Sequence, residues 1–319
     1  MAEEQKQTDF ERNQKEIRSL IWQNKIPVKI KLDPEQNSNN EEQFPLYMFF
    51  QRVHLPVFYY EQIHEYFEKF APVPRNQDDI WLEWNYKPIP WNLPFGVTFD
   101  LNYQDPSMKG ELGDEDSFDL GQQETPPPFI PQNIILHYGP CNISSDYFPI
   151  PSIPGKTVLD IAKQFFKFAL KESHQIRFGS ESFLVQIEAS KQNEMWESYK
   201  KLDENTFFSV LDQIFQLKSH LQNNKAIKLP VRVYIEGYIG RISLSHQINS
   251  ENDTLGDFLT KYFPKILKQT ENTFEIINDN YRNFKVICNG IVCNLNMPLL
   301  YFYKHFSHYD GFTYLCIQK

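Results

Sequence analysis

The spacing of hydrophobic residues over the first 138 positions predicts a helix, followed by strands around a second helix. Over 9–24 apolar residues recur at helical spacing, at Phe10, Ile17, Leu20 and Ile21. The later elements are, in chain order, a strand at 27–32, a polar loop at 33–43, a buried strand at 45–53, a helix at 61–70, an alternating strand at 79–84 and a strand at 133–138. Residues 1–8 are predicted to form a frayed tail.

The middle of the chain is predicted to be helical. Amphipathic spacing indicates helices over 156–173, 181–199 and 205–221. The apolar face of the first carries Val158, Ala162, Phe165, Phe166 and Ala169. The apolar face of the third carries Phe207, Leu211, Ile214, Phe215 and Leu221.

The last third returns to strands and holds the sharpest local signals. Strands are predicted at 229–236, 240–248 and 311–317. Thr254, with Asp257 three residues later, predicts a capped helix start. Between the two apolar runs of 284–295 stands Asn-Gly, which predicts a tight hairpin turn.

The two ends of the chain share one order of elements, namely strand, strand, helix and further strands. That is the order of a ubiquitin-like β-grasp unit, in which one sheet face is buried under one helix. We therefore predict an α+β fold with two ubiquitin-like β-grasp domains that flank a helix-rich domain. The predicted domains are 1–24 for the tail and N-terminal helix, 25–138 for the first ubiquitin-like domain, 139–224 for the helix-rich domain and 225–319 for the second ubiquitin-like domain. Within the first, the acidic, Gly- and Pro-rich stretch 105–128 is predicted to be a disordered insertion.

Composition and charge narrow the classes of function. The 319 residues carry a formal charge of −9, which disfavours binding to nucleic acids or to anionic membranes. The 12 glycines make a glycine-lined phosphate site a poor expectation. No apolar run is long enough for a bilayer span, and the charged start does not resemble a secretory signal. We expect a cytoplasmic protein whose cysteines, Cys141, Cys288, Cys293 and Cys316, are reduced.

One motif resembles a phosphate-binding loop without completing it. The segment 154–160, PGKTVLD, ends in the required Gly-Lys-Thr. The loop also needs a glycine five residues earlier, where this chain has Ile150. We expect Lys156 and Thr157 to begin a helix instead.

Another motif contains two metal-ligand types. His305 and His308, followed by Asp310, could supply two imidazoles and a carboxylate to a metal ion. Neither a His-Glu-x-x-His motif nor a cysteine pair supports that chemistry. We expect solvated or capping histidines, no metal and no cofactor.

A thiol-dependent transferase or hydrolase is the alternative function. His137 and Cys141 could be its base and nucleophile, but no local signature supports the pair. A packed cysteine is the better expectation for Cys141. Cys288 and Cys293 flank the hairpin turn and are expected to occupy neighbouring strand positions. We therefore predict no catalytic residue.

The chain resembles the autophagy protein 5 family over nearly its whole length. The most specific block is 78–101, and its matching residues are Ile80, Trp81, Pro88, Trp91, Pro94, Gly96, Phe99, Asp100 and Leu101. Weaker matches follow in the right order at 21–27, 52–53, 133–137, 229–234, 254–259, 290–291 and 298–299. The family architecture is an N-terminal helix, a ubiquitin-like domain, a helix-rich domain and a second ubiquitin-like domain.

The resemblance implies a non-catalytic scaffold in autophagosome formation. Such a scaffold joins the ubiquitin-like autophagy protein 12 to the coiled-coil autophagy protein 16. The assembly then promotes E3-like lipidation of autophagy protein 8. The implied location is cytoplasmic, with peripheral recruitment to the phagophore membrane, and neither a small-molecule substrate nor nucleic acid is expected.

The chain departs from the family at the isopeptide acceptor. In the family an acceptor lysine follows the strand that matches 133–138, and here that place is held by Gly139 and Pro140. No lysine occurs between Lys109 and Lys156. Because an isopeptide bond needs an ε-amine, we expect the ubiquitin-like partner to bind without a covalent link, with Lys156 as the fallback acceptor.

Binding residues are also implied by the resemblance. For the ubiquitin-like partner they are Trp81, Trp91, Phe95, Gly96 and Gly139, with the tryptophans as ordinary core residues in the alternative interpretation. For the coiled-coil partner they are Trp22 and Arg52. Arg52 could clamp a partner carboxylate or pair with an internal acid.

Overall fold

The structure is a computed structural model, and it describes residues 15–37, 43–70, 80–103, 131–141, 150–151, 153–179, 189–215, 227–238, 240–269, 274–278 and 284–319. The predicted tail at 1–8 and the predicted insertion at 105–128 lie outside the described residues. So do the first half of the second predicted middle helix and the end of the third. No helix among the described residues is long and apolar enough to span a bilayer.

In the described part of the chain, the first sheet has five strands in the order β2-β1-β5-β3-β4. Its strands are β1 (Lys25–Leu32), β2 (Leu46–Gln51), β3 (Ile80–Trp84), β4 (Lys87–Pro88) and β5 (Gln132–Tyr138). The associated helices are α1 (15–23), α2 (Tyr60–Phe67) and α3 (Phe95–Asn102). The outer pairs are antiparallel, and the central pair, β1 with β5, is parallel.

The second sheet repeats that order. Read from β7 it is β7-β6-β12-β10-β11, again with a parallel central pair between β6 and β12. Its strands are β6 (Ile227–Ile235), β7 (Ile242–Ile248), β10 (Lys285–Cys288), β11 (Ile291–Val292) and β12 (Thr313–Gln318). The second unit also contains two helices, α7 (Leu255–Tyr262) and α8 (Leu299–His305), and a small hairpin of β8 (Leu267–Gln269) and β9 (Phe274–Ile276). The predicted pair of ubiquitin-like units is confirmed.

Among the described residues, three helices connect the two sheets. They are α4 (Val158–Phe178), α5 (Ala189–Lys201) and α6 (Glu204–Phe215). The predicted start of α4 is confirmed, because the Thr157 side chain accepts a bond from the Asp160 amide in a reciprocal capping box. Gly179, with φ 72°, ends the helix.

The two sharpest local predictions are also confirmed. Thr254 and Asp257 form a capping box at the start of α7. Asn289 and Gly290 have φ angles of 52° and 82°, which are the two positive values that a tight hairpin turn of this kind requires. Both features depend on residues within three positions of each other, so local sequence is enough to determine them.

The burial of the strands differs from the sequence prediction. β2 was expected to be buried, but it is the edge strand of its sheet, and Tyr47 and Phe49 are 60% and 53% exposed. β3 was expected to alternate, but all five of its residues are buried. In β6 the charged Arg232 is buried as well, because α4 packs against this strand.

Candidate functional site at the domain junctions

Trp22 anchors the N-terminal helix to the helical domain. Its side chain is 4% exposed, and its ring lies 4.8 Å from that of Phe207 and 6.2 Å from that of Tyr199. Its indole N–H donates to the Leu202 carbonyl at 3.3 Å. A contribution of Trp22 to partner binding would therefore act through the position of α1, on which Leu20 is 71% exposed.

Arg52 pairs with an internal acid. Its side chain, just after β2, is 8% exposed, and Nη2 forms an ion pair with Asp100 of α3. The guanidinium also lies 5.3 Å from the centre of the Phe99 ring. Of the two sequence interpretations the structure supports the second, and a buried, paired guanidinium is not available to clamp a partner carboxylate.

Gly96 permits the close approach that forms this pair. Its amide donates to the Arg52 carbonyl at 2.8 Å. A Cβ atom at this position would lie 2.8 Å from that carbonyl oxygen and 2.9 Å from Cβ of Arg52. One helical turn after Gly96, Asp100 then reaches the guanidinium.

The hairpin turn of the second ubiquitin-like unit completes the site. The Gly290 amide donates to Oδ2 of Asp100 at 3.0 Å. A Cβ atom on Gly290 would lie 2.7 Å from Cζ of Arg52. Burial raises the pKa of Asp100, while Arg52 and the Gly290 amide oppose that rise. We call Arg52, Asp100 and Gly290 the first junction, and sequence reasoning did not place these three residues together.

A small apolar cluster lies beside the first junction. It joins α3 to the second sheet through Leu93, Val97, Ile287, Phe312, Tyr314 and Cys316. The two ubiquitin-like units therefore share an apolar contact as well as a buried ion pair.

A second junction fixes the second ubiquitin-like unit to α4. Arg232 of β6 is 3% exposed and donates to Asp310 Oδ2 at 2.8 Å and to Glu172 Oε2 at 3.0 Å. Its guanidinium carbon lies 3.7 Å from the centre of the Phe312 ring. The Tyr314 hydroxyl donates to the same Asp310 oxygen at 2.8 Å. Asp310, a metal-ligand candidate in the sequence, thus acts as a structural counter-ion.

Further contacts hold the segment before β12 against α4. Nη2 of Arg177 donates to the Gly311 carbonyl at 2.7 Å and to Oγ of Ser307 at 2.6 Å. The hydroxyl of Ser173 donates to the Asp310 carbonyl. Two residues near the end of α4, Ser173 and Arg177, therefore bond to one short loop, and α4 holds that loop in place.

The two histidines of that segment are buried, so the expectation that they are solvated was wrong. His305 is 5% exposed and His308 is 6% exposed. Burial lowers the pKa of His305 to about 4 and that of His308 to about 3. Among the described residues no group of three or more His, Cys, Asp and Glu side chains is arranged to hold a metal ion.

His54 links the first sheet to α5. Nε2 lies 2.9 Å from the Tyr199 carbonyl, and Nδ1 lies 3.0 Å from the Tyr59 hydroxyl. Because a carbonyl only accepts, Nε2 carries the proton and Nδ1 accepts from Tyr59. Burial lowers the pKa of His54 to about 4, which keeps the ring neutral near pH 7.

Trp81 and His137 stack on the first sheet. Their ring centres are 4.0 Å apart with an interplanar angle of 8°, and Trp81 is 5% exposed. Both nitrogens of His137 face carboxylates, with Nδ1 3.0 Å from Asp33 and Nε2 2.9 Å from Glu83. His137 therefore has no nitrogen left to activate a thiol, and the partly exposed Cys141 gains no support as a nucleophile.

Trp91 and Phe95 lie in the core, each 0% exposed. A role of these two side chains in partner binding would be indirect, since neither reaches the surface. Trp91 does support a surface residue, because Phe165 of α4 packs edge-on against it at 5.2 Å. Phe165, expected on the buried face, is 38% exposed, and Phe168 is 65% exposed. Sequence reasoning missed Phe168, although its position three residues after Phe165 was a usable signal.

The segment after β5 carries the remaining predicted residues. Gly139 has φ 94°, and a Cβ atom there would meet nothing within 4 Å. Lys156 is exposed and lies just before α4, where its amide donates to the Ile153 carbonyl at 3.0 Å. Ile153 is itself 38% exposed.

Three family models match this chain in order. They are described as "Autophagy protein ATG5, UblA domain" over residues 21–137, "Autophagy protein ATG5, alpha-helical bundle region" over residues 159–217 and "Autophagy protein ATG5, UblB domain" over residues 228–317. The three matched ranges include both sheets and α4.

Curated proteins and a solved structure match over nearly the full length. Autophagy protein 5 of Debaryomyces hansenii is 23% identical and covers 95% of this chain and 94% of its own. Autophagy protein 5 of Candida albicans is 24% identical and covers 96% of this chain and 97% of its own. The crystal structure of Kluyveromyces marxianus Atg5 matches with a TM-score of 0.71 at 19% identity, over 94% of this chain and 98% of that one, which shows a shared fold.

Proposed function

This chain belongs to the autophagy protein 5 family, as its motifs predicted, and on that premise we propose that it is a non-catalytic scaffold of autophagosome formation. Membership supports a role in autophagy. In the proposed role the chain joins the ubiquitin-like autophagy protein 12 to the coiled-coil autophagy protein 16. The assembly acts like an E3 and promotes lipidation of autophagy protein 8, and it is recruited from the cytoplasm to the phagophore membrane.

Two observations support the proposal. Buried contacts connect the domains to one another, and the described residues show no reactive centre. The first junction couples the two ubiquitin-like units, and the second couples the C-terminal unit to α4. We infer that these buried ion pairs fix the relative orientation of the elements that they join, whatever their net contribution to stability. A scaffold needs such fixed geometry because it must present two partners at once.

The ubiquitin-like partner is proposed to bind without a covalent bond. Gly139 and Pro140 occupy the place after β5, and neither can supply an ε-amine. A standard interface of about 1,600 Å² reaches tight binding without a covalent link. Such an interface needs exposed anchors, and aromatic side chains are the usual ones.

The exposed surface of α4 supports this docking mode. Phe165 and Phe168 are 38% and 65% exposed, and Ile153 lies in the turn before the helix. Trp91 supports Phe165 from beneath, which gives the predicted Trp91 an indirect role. We call Ile153, Phe165 and Phe168 the α4 surface and propose it as the docking site for autophagy protein 12.

The coiled-coil partner is proposed to bind beside α1. Trp22 fixes this helix, and Arg18 pairs with Asp212 of α6 at 2.8 Å. Leu20 remains 71% exposed on the same helix. An amphipathic helix that packs its apolar face beside α1 is the expected binding mode for a coiled-coil protein.

Co-purification with autophagy protein 12, followed by a denaturing gel, tests this function. We expect the two proteins to co-elute under native conditions and to separate at their individual masses on the gel. An adduct that survives boiling in detergent would overturn the non-covalent proposal. Loss of that adduct in Lys156→Arg, with Lys163→Arg as the matched control on α4, would identify the fallback acceptor.

A further inference from the structure

The first sheet ends at β2, whose outer backbone edge is unpaired within the described part of the chain. The Arg52 amide donates to the Asn24 carbonyl at 2.9 Å, so these residues form a hydrogen-bonded pair with β1. Bonded and non-bonded pairs alternate along an antiparallel ladder. Tyr47 and Phe49 are therefore in non-bonded pairs, and their N–H and C=O groups point away from β1.

The open part of this edge is short and has defined ends. At one end the Gln51 amide, which also points outward, donates to the Tyr59 hydroxyl at 2.7 Å. At the other end Pro45 has no amide hydrogen to donate. The backbone groups of Tyr47 and Phe49 remain, and a strand of about five residues would cover them.

The side chains of this edge do not block pairing. Edge strands commonly carry lysine or proline on the edge itself, which discourages strand addition. Here Tyr47 and Phe49 project from the outer face and are 60% and 53% exposed. Their rings offer apolar contact to the side chains of a neighbouring strand.

The lysines lie on the adjacent strand and reach over the rings. Nζ of Lys25 lies 4.7 Å from the centre of the Phe49 ring, and Nζ of Lys29 lies 5.9 Å from the centre of the Tyr47 ring. Both ammonium groups therefore lie over side chains of the edge strand itself. Within the described residues neither lysine forms an ion pair, which leaves a basic surface on a chain of net charge −9.

We propose that the β2 edge binds an acidic, extended peptide segment of another protein by strand addition. The backbone of Tyr47 and Phe49 supplies the hydrogen bonds, and the carboxylates of the segment face Lys25 and Lys29. A second copy of this chain would bring the same lysines to the same face, and those charges would repel. The proposed contacts are made by β1 and β2, and not by the α4 surface or by α1, so the proposal goes beyond the proposed scaffold function.

Fluorescence anisotropy on the full-length chain tests the proposal. The probe is a labelled peptide of alternating glutamate and valine, and the matched control peptide is N-methylated at alternate residues, which keeps its charge but prevents strand pairing. We expect the first peptide to bind at least about tenfold more tightly than the second. Tyr47→Pro, which removes an outward amide, and K25E/K29E are each expected to weaken binding by a similar factor.

Three outcomes would overturn the proposal. Equal binding of the two peptides, or binding unchanged by Tyr47→Pro, would show charge attraction without strand addition. A dimer in sedimentation that Tyr47→Pro converts to a monomer would identify a second copy as the occupant. Absence of peptide binding would also overturn it, and binding to phosphatidylserine vesicles that K25E/K29E abolishes and Tyr47→Pro does not would then identify a lipid surface as the occupant. Thermal unfolding by circular dichroism of each variant verifies that it is folded.

Discussion

Gly290 lies against the guanidinium of Arg52, so closely that a Cβ atom on the glycine would be 2.7 Å from Cζ of the arginine. The two residues belong to different ubiquitin-like units. Between them stands Asp100, which accepts from the Gly290 amide at 3.0 Å and pairs with Arg52. The orientation of one unit relative to the other therefore depends on the lack of a side chain at Gly290.

Gly290→Ala is expected to destabilise the protein through this contact. The change adds the backbone strain of a positive φ, about 1 kcal/mol, and pushes the guanidinium away from a buried carboxylate. Gly240→Ala is the matched control, because Gly240 has φ 97° and open space around its missing Cβ. We expect the urea-derived free energy of unfolding to fall by about 2 kcal/mol more in Gly290→Ala than in Gly240→Ala. Equal losses of unfolding free energy in the two variants would show that the contact between Gly290 and Arg52 does not contribute to stability.

Arg52→Ala separates a structural role from a partner-clamping role. Removal of one member of a buried pair costs about 3–5 kcal/mol, because the other charge is left without a partner. The double variant Arg52→Ala with Asp100→Asn is expected to recover part of that loss in a double-mutant cycle. If Arg52 instead clamped a partner, Arg52→Ala would keep its unfolding midpoint and lose only affinity for the coiled-coil protein.

The two acids bound by Arg232 are expected to contribute unequally. The side chain of Glu172 is 42% exposed, whereas that of Asp310 is 1% exposed. Glu172→Gln should lower the free energy of unfolding by less than about 1 kcal/mol, since solvent screens the pair. Asp310→Asn should lower it by about 3 kcal/mol or more. Chemical denaturation measures both, and a larger effect of Glu172→Gln would rule out this ranking.

Three buried histidines predict acid sensitivity. Burial holds the pKa of His54 and His305 at about 4 and that of His308 at about 3. The unfolded chain takes up protons at these imidazoles below about pH 6.5, and the folded chain does so only at much lower pH. The stability that depends on these neutral rings is therefore fully present above about pH 6.5, and it is lost as the pH falls toward 4 and then 3.

The slope of the free energy of unfolding against pH can be measured. Each proton taken up only by the unfolded chain changes the free energy of unfolding by about 1.4 kcal/mol per pH unit, so three histidines give up to about 4 kcal/mol per unit near pH 5. His308→Phe should reduce the part of the slope that these three rings contribute by about a third. A stability that is flat between about pH 6.5 and 5 would mean that these rings are protonated in the folded protein.

Phe168→Ala tests the α4 surface. Because Phe168 is 65% exposed, its removal should leave the unfolding midpoint nearly unchanged. We expect the affinity for autophagy protein 12 in titration calorimetry to fall about tenfold or more, as for an aromatic anchor. Tyr238→Ala is the control, since Tyr238 is 59% exposed on the second ubiquitin-like unit. Equal small effects of the two variants would place the docking site elsewhere.

Sequence reasoning succeeded where neighbouring residues decide the structure. The capping box of Thr254 and Asp257 spans three positions, and the hairpin turn rests on Asn289 and its following glycine. The repeated order of strands could also be predicted from the sequence, because the hydrophobic pattern of each strand is local. These features required no knowledge of distant contacts.

The junctions were beyond that reasoning because their members are far apart in sequence. Asp100 lies 48 positions from Arg52 and 190 positions from Gly290. Composition cannot show that a helix will cover β6, so the burial of Arg232 was missed. Trp91 and Phe95 are fully buried, which agrees with the alternative interpretation of Trp91 as a core residue.

We propose that this chain holds a ubiquitin-like and a coiled-coil partner simultaneously, without a covalent bond to either. Mass spectrometry of the complex with autophagy proteins 12 and 16, under native and then denaturing conditions, measures this most directly. We predict one native species that contains all three chains, and after denaturation three unmodified masses. A denatured species that contains this chain plus autophagy protein 12, or a native spectrum with only pairwise complexes, would contradict the claim.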